Sequence, residues 1–218
     1  MIEHSILFST TMVRALLDGS KTQMRRIVKS QPPAGAEFAT LSNVGHPWHD
    51  MYGHNGQAAH RVKCPYGQPG ERLWVREHWC ASSAHDPLPP RNIPVGDSVE
   101  FLADGPTRIL TGKARRAFHM PRWASRILLE ITDVRVERLQ DISEEDAKAE
   151  GARFTDFGKN RFGRQHSGWR CDRLPTGPDD ALESARWAYA NLWESINGRG
   201  AWGANPFVWV IEFKRIEQ

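Results

Sequence analysis

RILLEITDVRVERL, residues 126–139, is the longest strand-like pattern in the chain. Ile127, Leu129, Ile131, Val134 and Val136 fall on one face if one extra residue near Asp133 shifts the phase, as a β-bulge does. The segment that follows, ISEEDAKAEGA (142–152), reads as a short helix. Ser143 caps it, acidic residues fill its first turn, and Gly151 closes it. Further on, DDALESARWAYANLWESING (179–198) repeats Leu182, Ala185, Tyr189, Leu192, Trp193 and Ile196 at helical spacing, and PFVWVIEFKRI (206–216) is a closing strand.

Upstream, PGERLWVREHW (69–79) alternates Leu73 and Val75 with Arg72, Trp74 and Arg76, as a half-buried strand does. DPLPPRNIP (86–94) breaks that unit, and Ser98–Leu102 with Arg108–Ala114 reads as a hairpin turning at ADGP. The chain opens with a strand over Ser5–Phe8. Ser9, Thr10 and Thr11 then offer caps to a helix carrying Met12, Val13, Ala15, Leu16 and Leu17, which stops near Gly19. Lys21 therefore emerges just past a helix end. Two stretches, about 30–66 and about 152–179, lose periodicity and read as long irregular insertions. Short strands dispersed among a few helices favour an α+β, barrel-like single domain over residues 1–218, rather than a βαβ sheet. No Gly-rich phosphate loop, GxSxG elbow or HExxH motif occurs, so the common enzyme superfolds are unsupported.

Composition narrows the chemistry. Of 29 basic residues, 22 are Arg, whose planar fork pairs with phosphate and stacks on bases. Nine tryptophans add candidate stacking platforms to those needed for a core. Three widely spaced cysteines suit a reducing compartment, and neither a signal peptide nor a long apolar run is present, so a cytoplasmic protein is expected. His46 with His49 and His60 with Cys64 have possible pair spacings, but no zinc motif is formed and neither metal nor cofactor is assigned.

DGSKTQMRRI (18–27), GERLWVRE (70–77), SEEDAKAEG (143–151) and VIEFK (210–214) occur in the order seen in ASCH-domain proteins. The sequence resembles that family, particularly its larger phage-type members, over roughly half its length. The resemblance implies a PUA-like β-barrel with flanking helices and a role in RNA or nucleobase chemistry. Small bacterial members remove the acyl group from 4-acetylcytidine, and others are described as ribonucleases. In the amidohydrolases a lysine, a threonine three residues later and a glutamate of the short helix carry the reaction. The lysine falls on Lys21 and the glutamate on Glu150, but the threonine position holds Met24, whose thioether has no proton to lose. Thr22 is the nearest hydroxyl along the chain, and its position two residues off points it elsewhere.

The expected function is the processing of nucleic acid or a modified nucleoside, with hydrolysis of an acylated cytosine or an RNA phosphodiester as the candidate reaction. Lys21 and Glu150 would activate a water. The alternative is a non-catalytic module that recognises a base or a structured RNA or DNA element. Arg25, Arg26, Arg72, Trp74 and Arg76 are candidates for a phosphate-binding and stacking wall. Residues 153–173 carry a net charge of +4 with interleaved aromatics, which makes Arg161 and Arg164 further candidates for contact with single strands.

Overall fold

The computed structural model describes residues 1–32, 36–39, 48–53, 58–105, 112–159, 162–171 and 182–217. The chain runs β1 (Glu3–Leu7), α1 (Thr10–Leu17), β2 (Gln23–Ile27), β3 (Ala36–Ala39), β4 (Trp48–Gly53), β5 (Ala58–Lys63), β6 (Arg72–Arg76), β7 (Trp79–Ala81) and β8 (Val99–Phe101). It continues with β9 (Leu128–Arg138), α2 (Glu144–Ala149), β10 (Arg153–Lys159), β11 (Gln165–Arg170), α3 (Ala185–Asn197) and β12 (Phe207–Ile216).

The strand read first in the sequence is the middle of the molecule. β9 is the third strand of a five-stranded sheet in the order β1-β6-β9-β12-β2, in which only β1 and β6 run parallel. Its phase shift is present: Asp133 pairs with Glu212 but Ile131 pairs with Phe213, which leaves Thr132 as the extra residue. Ile127, Leu129, Ile131, Val134 and Val136 are therefore all buried in one core cluster with Leu73, Val75, Trp209 and Ile211. Each such side chain contributes about 1.5–3 kcal/mol through burial, so the bulge is what keeps both halves of β9 on the core side. On the opposite face, Val208 and Val210 pack against Ala147 of α2 and against Tyr189, Leu192 and Trp193 of α3.

The fold is thus α+β and mostly strand, but the sheet does not close into the expected barrel. β1 and β2 remain edges, and among the described residues no backbone ladder joins them. The two edges still come within side-chain reach. Arg26 of β2 donates through Nη2 to the Leu7 carbonyl at 3.0 Å, and its guanidinium lies 5.9 Å from the Phe8 ring centroid. A guanidinium bridges the gap that a ladder would have filled.

Both stretches read as irregular contain strands. β3, β4 and β5 form a separate three-stranded antiparallel sheet, and β10 pairs with β11 as a hairpin with a register shift between Asp156 and Lys159. These strands pair with one another rather than with the central sheet, and His49, Val62 and Cys64 are buried where the first unit meets the core. The end of the turn and most of the second strand of the expected hairpin, Ser98–Leu102 with Arg108–Ala114, fall outside the described residues. β8 pairs with β7, and Trp79 of β7 bridges to Arg115; residues 106–111 lie outside the described residues. No helix among the described residues is long and apolar enough to cross a membrane.

Candidate functional site

α1 begins at the Ser9 side-chain cap and gives way after Asp18 to Gly19, whose φ of +79° is the left-handed conformation expected at that position. The turn carries Lys21 back across the helix, where its N–H bonds the Ala15 carbonyl at 3.0 Å. Meanwhile α2, held by a reciprocal capping box between Ser143 and Asp146, ends on Glu150. Gly151 follows at φ +103° and turns the chain beneath α1. Two helix ends distant in sequence thereby deliver Lys21 and Glu150 to one place.

The Lys21 Nζ donates at 2.8 Å to both the Glu150 carbonyl and its Oε2, and the two side chains are only 1% and 4% exposed. A lysine ammonium has three protons, so one is left beyond these two bonds. The other carboxylate oxygen of Glu150, Oε1, lies 3.3 Å from Arg25 Nη1. Arg25 is itself fully buried and pairs with Glu137 at 2.5 Å and Asp146 at 3.2 Å. Burial opposes its charge, but Glu150 and Glu137 more than offset this and raise its pKa further. Asp146 is likewise pushed up by burial and brought below the ordinary carboxylate range by the Gln23 N–H and the Arg25 charge. Tyr189, fully buried beneath the Arg25 guanidinium, is held neutral by burial and by Glu150.

A cavity of about 60 Å³ opens beside this array, bounded by Lys21, Glu150, Arg26, Phe8, Tyr189 and Trp193. A second, of about 220 Å³, lies on the other side of Glu150 and shares Met12, Glu150 and Leu192 with the first as a common wall. Aromatic rings, the cationic Lys21, Arg25 and Arg26 and the Glu150 carboxylate around a small hollow suit a flat, polar-edged ligand. Protein-family models, curated proteins and solved structures yield no match to this chain. The geometry therefore carries the functional argument alone.

The sequence-expected residues distribute unevenly about it. Lys21 and Glu150 meet as expected. Thr22 is exposed, lines neither cavity, and serves through its backbone, bonding the Ala149 carbonyl and accepting from the Phe213 N–H. Met24 is buried in the core of the sheet and also forms part of the smaller cavity's wall, with no hydroxyl to offer. Arg25, expected on an open phosphate wall, is instead engaged by three carboxylates in the interior, although it borders the smaller cavity beside Arg26. Arg72, Trp74 and Arg76 share one face of β6, with the Arg76 guanidinium 4.5 Å from the Trp74 ring centroid, but they border neither cavity. Arg164 is exposed in the β10–β11 hairpin, and Arg161 lies outside the described residues.

His49 packs edge-on against Trp209 at 5.0 Å and burial lowers its pKa, while His60 bonds the Ser30 carbonyl. His46 and His54 lie outside the described residues. Among the described residues no cluster of three or more His, Cys, Asp or Glu side chains is suited to a metal. Tyr189 and Trp193, four residues apart on α3, face the site but read in the sequence only as part of an apolar helix stripe.

Proposed function

We propose that the chain recognises a nucleobase, free or within a nucleic acid, in the cleft at Lys21 and Glu150, and that it is a PUA-like protein of the ASCH type. The observation that carries this is the buried Lys21–Glu150 pair with one lysine proton left over, set against the aromatic walls of Phe8, Tyr189 and Trp193. A base offers a π-face to such rings and an acceptor edge to such a proton. The curled sheet whose edges meet at Leu7 and Arg26 supports a relationship to barrel folds without the closure those folds have.

Recognition without turnover is the preferred form of this reading. Both carboxylate oxygens of Glu150 already accept from cations, which weakens it as a base, and neither Met24 nor Thr22 supplies a nucleophile. Hydrolysis of an acylated cytosine or of an RNA phosphodiester through an activated water is the second reading, favoured by the convergence of Lys21 and Glu150 on one cavity. Titration with the ribonucleosides and 4-acetylcytidine, followed by tryptophan fluorescence, tests the first. Binding weakened at least tenfold by Lys21→Met, with circular dichroism unchanged, is expected; equal binding by the variant removes the cleft from the function. Product analysis after incubation with 4-acetylcytidine or RNA tests the second. Turnover lost in Lys21→Ala and kept in Met24→Ala would establish the water mechanism, and activity gained only in Met24→Thr would mark a lapsed threonine-dependent enzyme.

A further inference from the structure

The larger cavity has a charge character of its own. Arg14, Arg153 and Arg170 all line it, from α1, β10 and β11. Among the described residues Glu150 is the one carboxylate in its wall, and Lys21 and Arg25 already neutralise it. Arg153 is paired with Asp18 and also donates to Ser20 Oγ at 2.6 Å. Among the described residues the other two arginines have no carboxylate partner: Arg14 donates through Nε to the Ala103 carbonyl at 2.7 Å, and the Arg170 guanidinium has no hydrogen bond or ion pair. Arg14 and Arg170, on one cavity wall without matching carboxylates among the described residues, repel one another, and an anion between them relieves that repulsion.

We propose that this cavity is a phosphate subsite, taking the phosphate of a nucleotide whose base occupies the smaller cavity across Glu150. The assignment rests on the base reading above. A guanidinium fork matches the oxygen spacing of a phosphate, so Arg14, fixed through its Nε, would present its remaining N–H groups as a pair. The shared wall of Met12, Glu150 and Leu192 sets base and phosphate sites side by side, and the two hollows together approach the low end of small-molecule sites, about 300 Å³. The Glu150 carboxylate would otherwise repel an anion here. Its double neutralisation by Lys21 and Arg25 gives that buried network a role in binding as well as in folding.

The test is calorimetric titration of the wild-type chain, Arg14→Gln and Arg170→Gln with the four ribonucleosides, their 5′- and 3′-monophosphates, and inorganic phosphate. One monophosphate is expected to bind on the order of tenfold or more tighter than its nucleoside, with a strong salt dependence. Either substitution should reduce that advantage to below threefold, and Arg14→Lys should restore part of it. A nucleoside that binds while its phosphates add less than twofold overturns the subsite and leaves the base reading standing. Monophosphates that bind equally whatever their base, or no more tightly than inorganic phosphate, overturn the nucleotide assignment and the base reading together. Binding by none of the probes overturns both as well.

Discussion

Glu150→Gln should be the most disruptive single-atom change in the cleft. Lys21 is 1% exposed and has no carboxylate partner among the described residues besides Glu150, whereas Arg25 keeps Glu137 and Asp146 if Glu150 is neutralised. The substitution thus strands the Lys21 charge in the interior, a loss of about 3–5 kcal/mol when one member of a buried pair is removed. For a chain of this length that corresponds to a fall in Tm of about 6–20 °C. Lys21→Met removes the charge instead and leaves Glu150 with Arg25 at 3.3 Å, so the loss is smaller, about 1–3 kcal/mol. The double variant should be more stable than Glu150→Gln alone, because no uncompensated ammonium remains. Urea denaturation followed by the fluorescence of the nine tryptophans reads all three. A loss below about 1 kcal/mol for Glu150→Gln, the value of an exposed pair, would refute the reasoning.

Gly67 sits at φ +117°, and a Cβ there would lie 2.8 Å from Glu71 Oε2 and 2.9 Å from Ile131 Cδ1; Gly67→Ala should lower stability by about 1–3 kcal/mol, read by thermal unfolding. Burial pushes the Cys64 thiol up to about 11 from its usual 9.0. The unfolded chain releases that proton first, so stability should fall as pH rises between 9 and 11, by roughly 1 kcal/mol per pH unit, and Cys64→Ala should flatten that limb. Arg72→Ala and Arg76→Ala should each reduce the salt slope of oligonucleotide binding by about one unit if the β6 face holds phosphates; an unchanged slope removes that face from the interface.

The central strand was legible down to its bulge, because Ile127 just before β9 and Leu129, Ile131, Val134 and Val136 within it can share a face only if one residue is extra. The caps at Ser9 and Ser143 and the glycines after α1 and α2 were legible for a similar reason: they are local chemistry. Barrel closure was not, since whether β1 and β2 pair depends on how far the whole sheet curls. The small sheet of β3–β5 and the β10–β11 hairpin escaped because their strands are short and lie among Gly, Pro and His residues that interrupt alternation. Within the site, the meeting of Lys21 and Glu150 came from the resemblance alone. The burial of Arg25 carried no sequence signal, because the three carboxylates that hold it lie over a hundred residues away. Arg14 and Arg170 were equally silent, as two of 22 arginines.

A crystal structure of the protein with the nucleotide that binds it most tightly would bear on base recognition most directly. The base is expected to lie among Phe8, Tyr189 and Trp193, with an acceptor within hydrogen-bond distance of Lys21 Nζ. A ligand bound only along Arg72, Trp74 and Arg76, with the cleft at Lys21 and Glu150 unchanged, would contradict it.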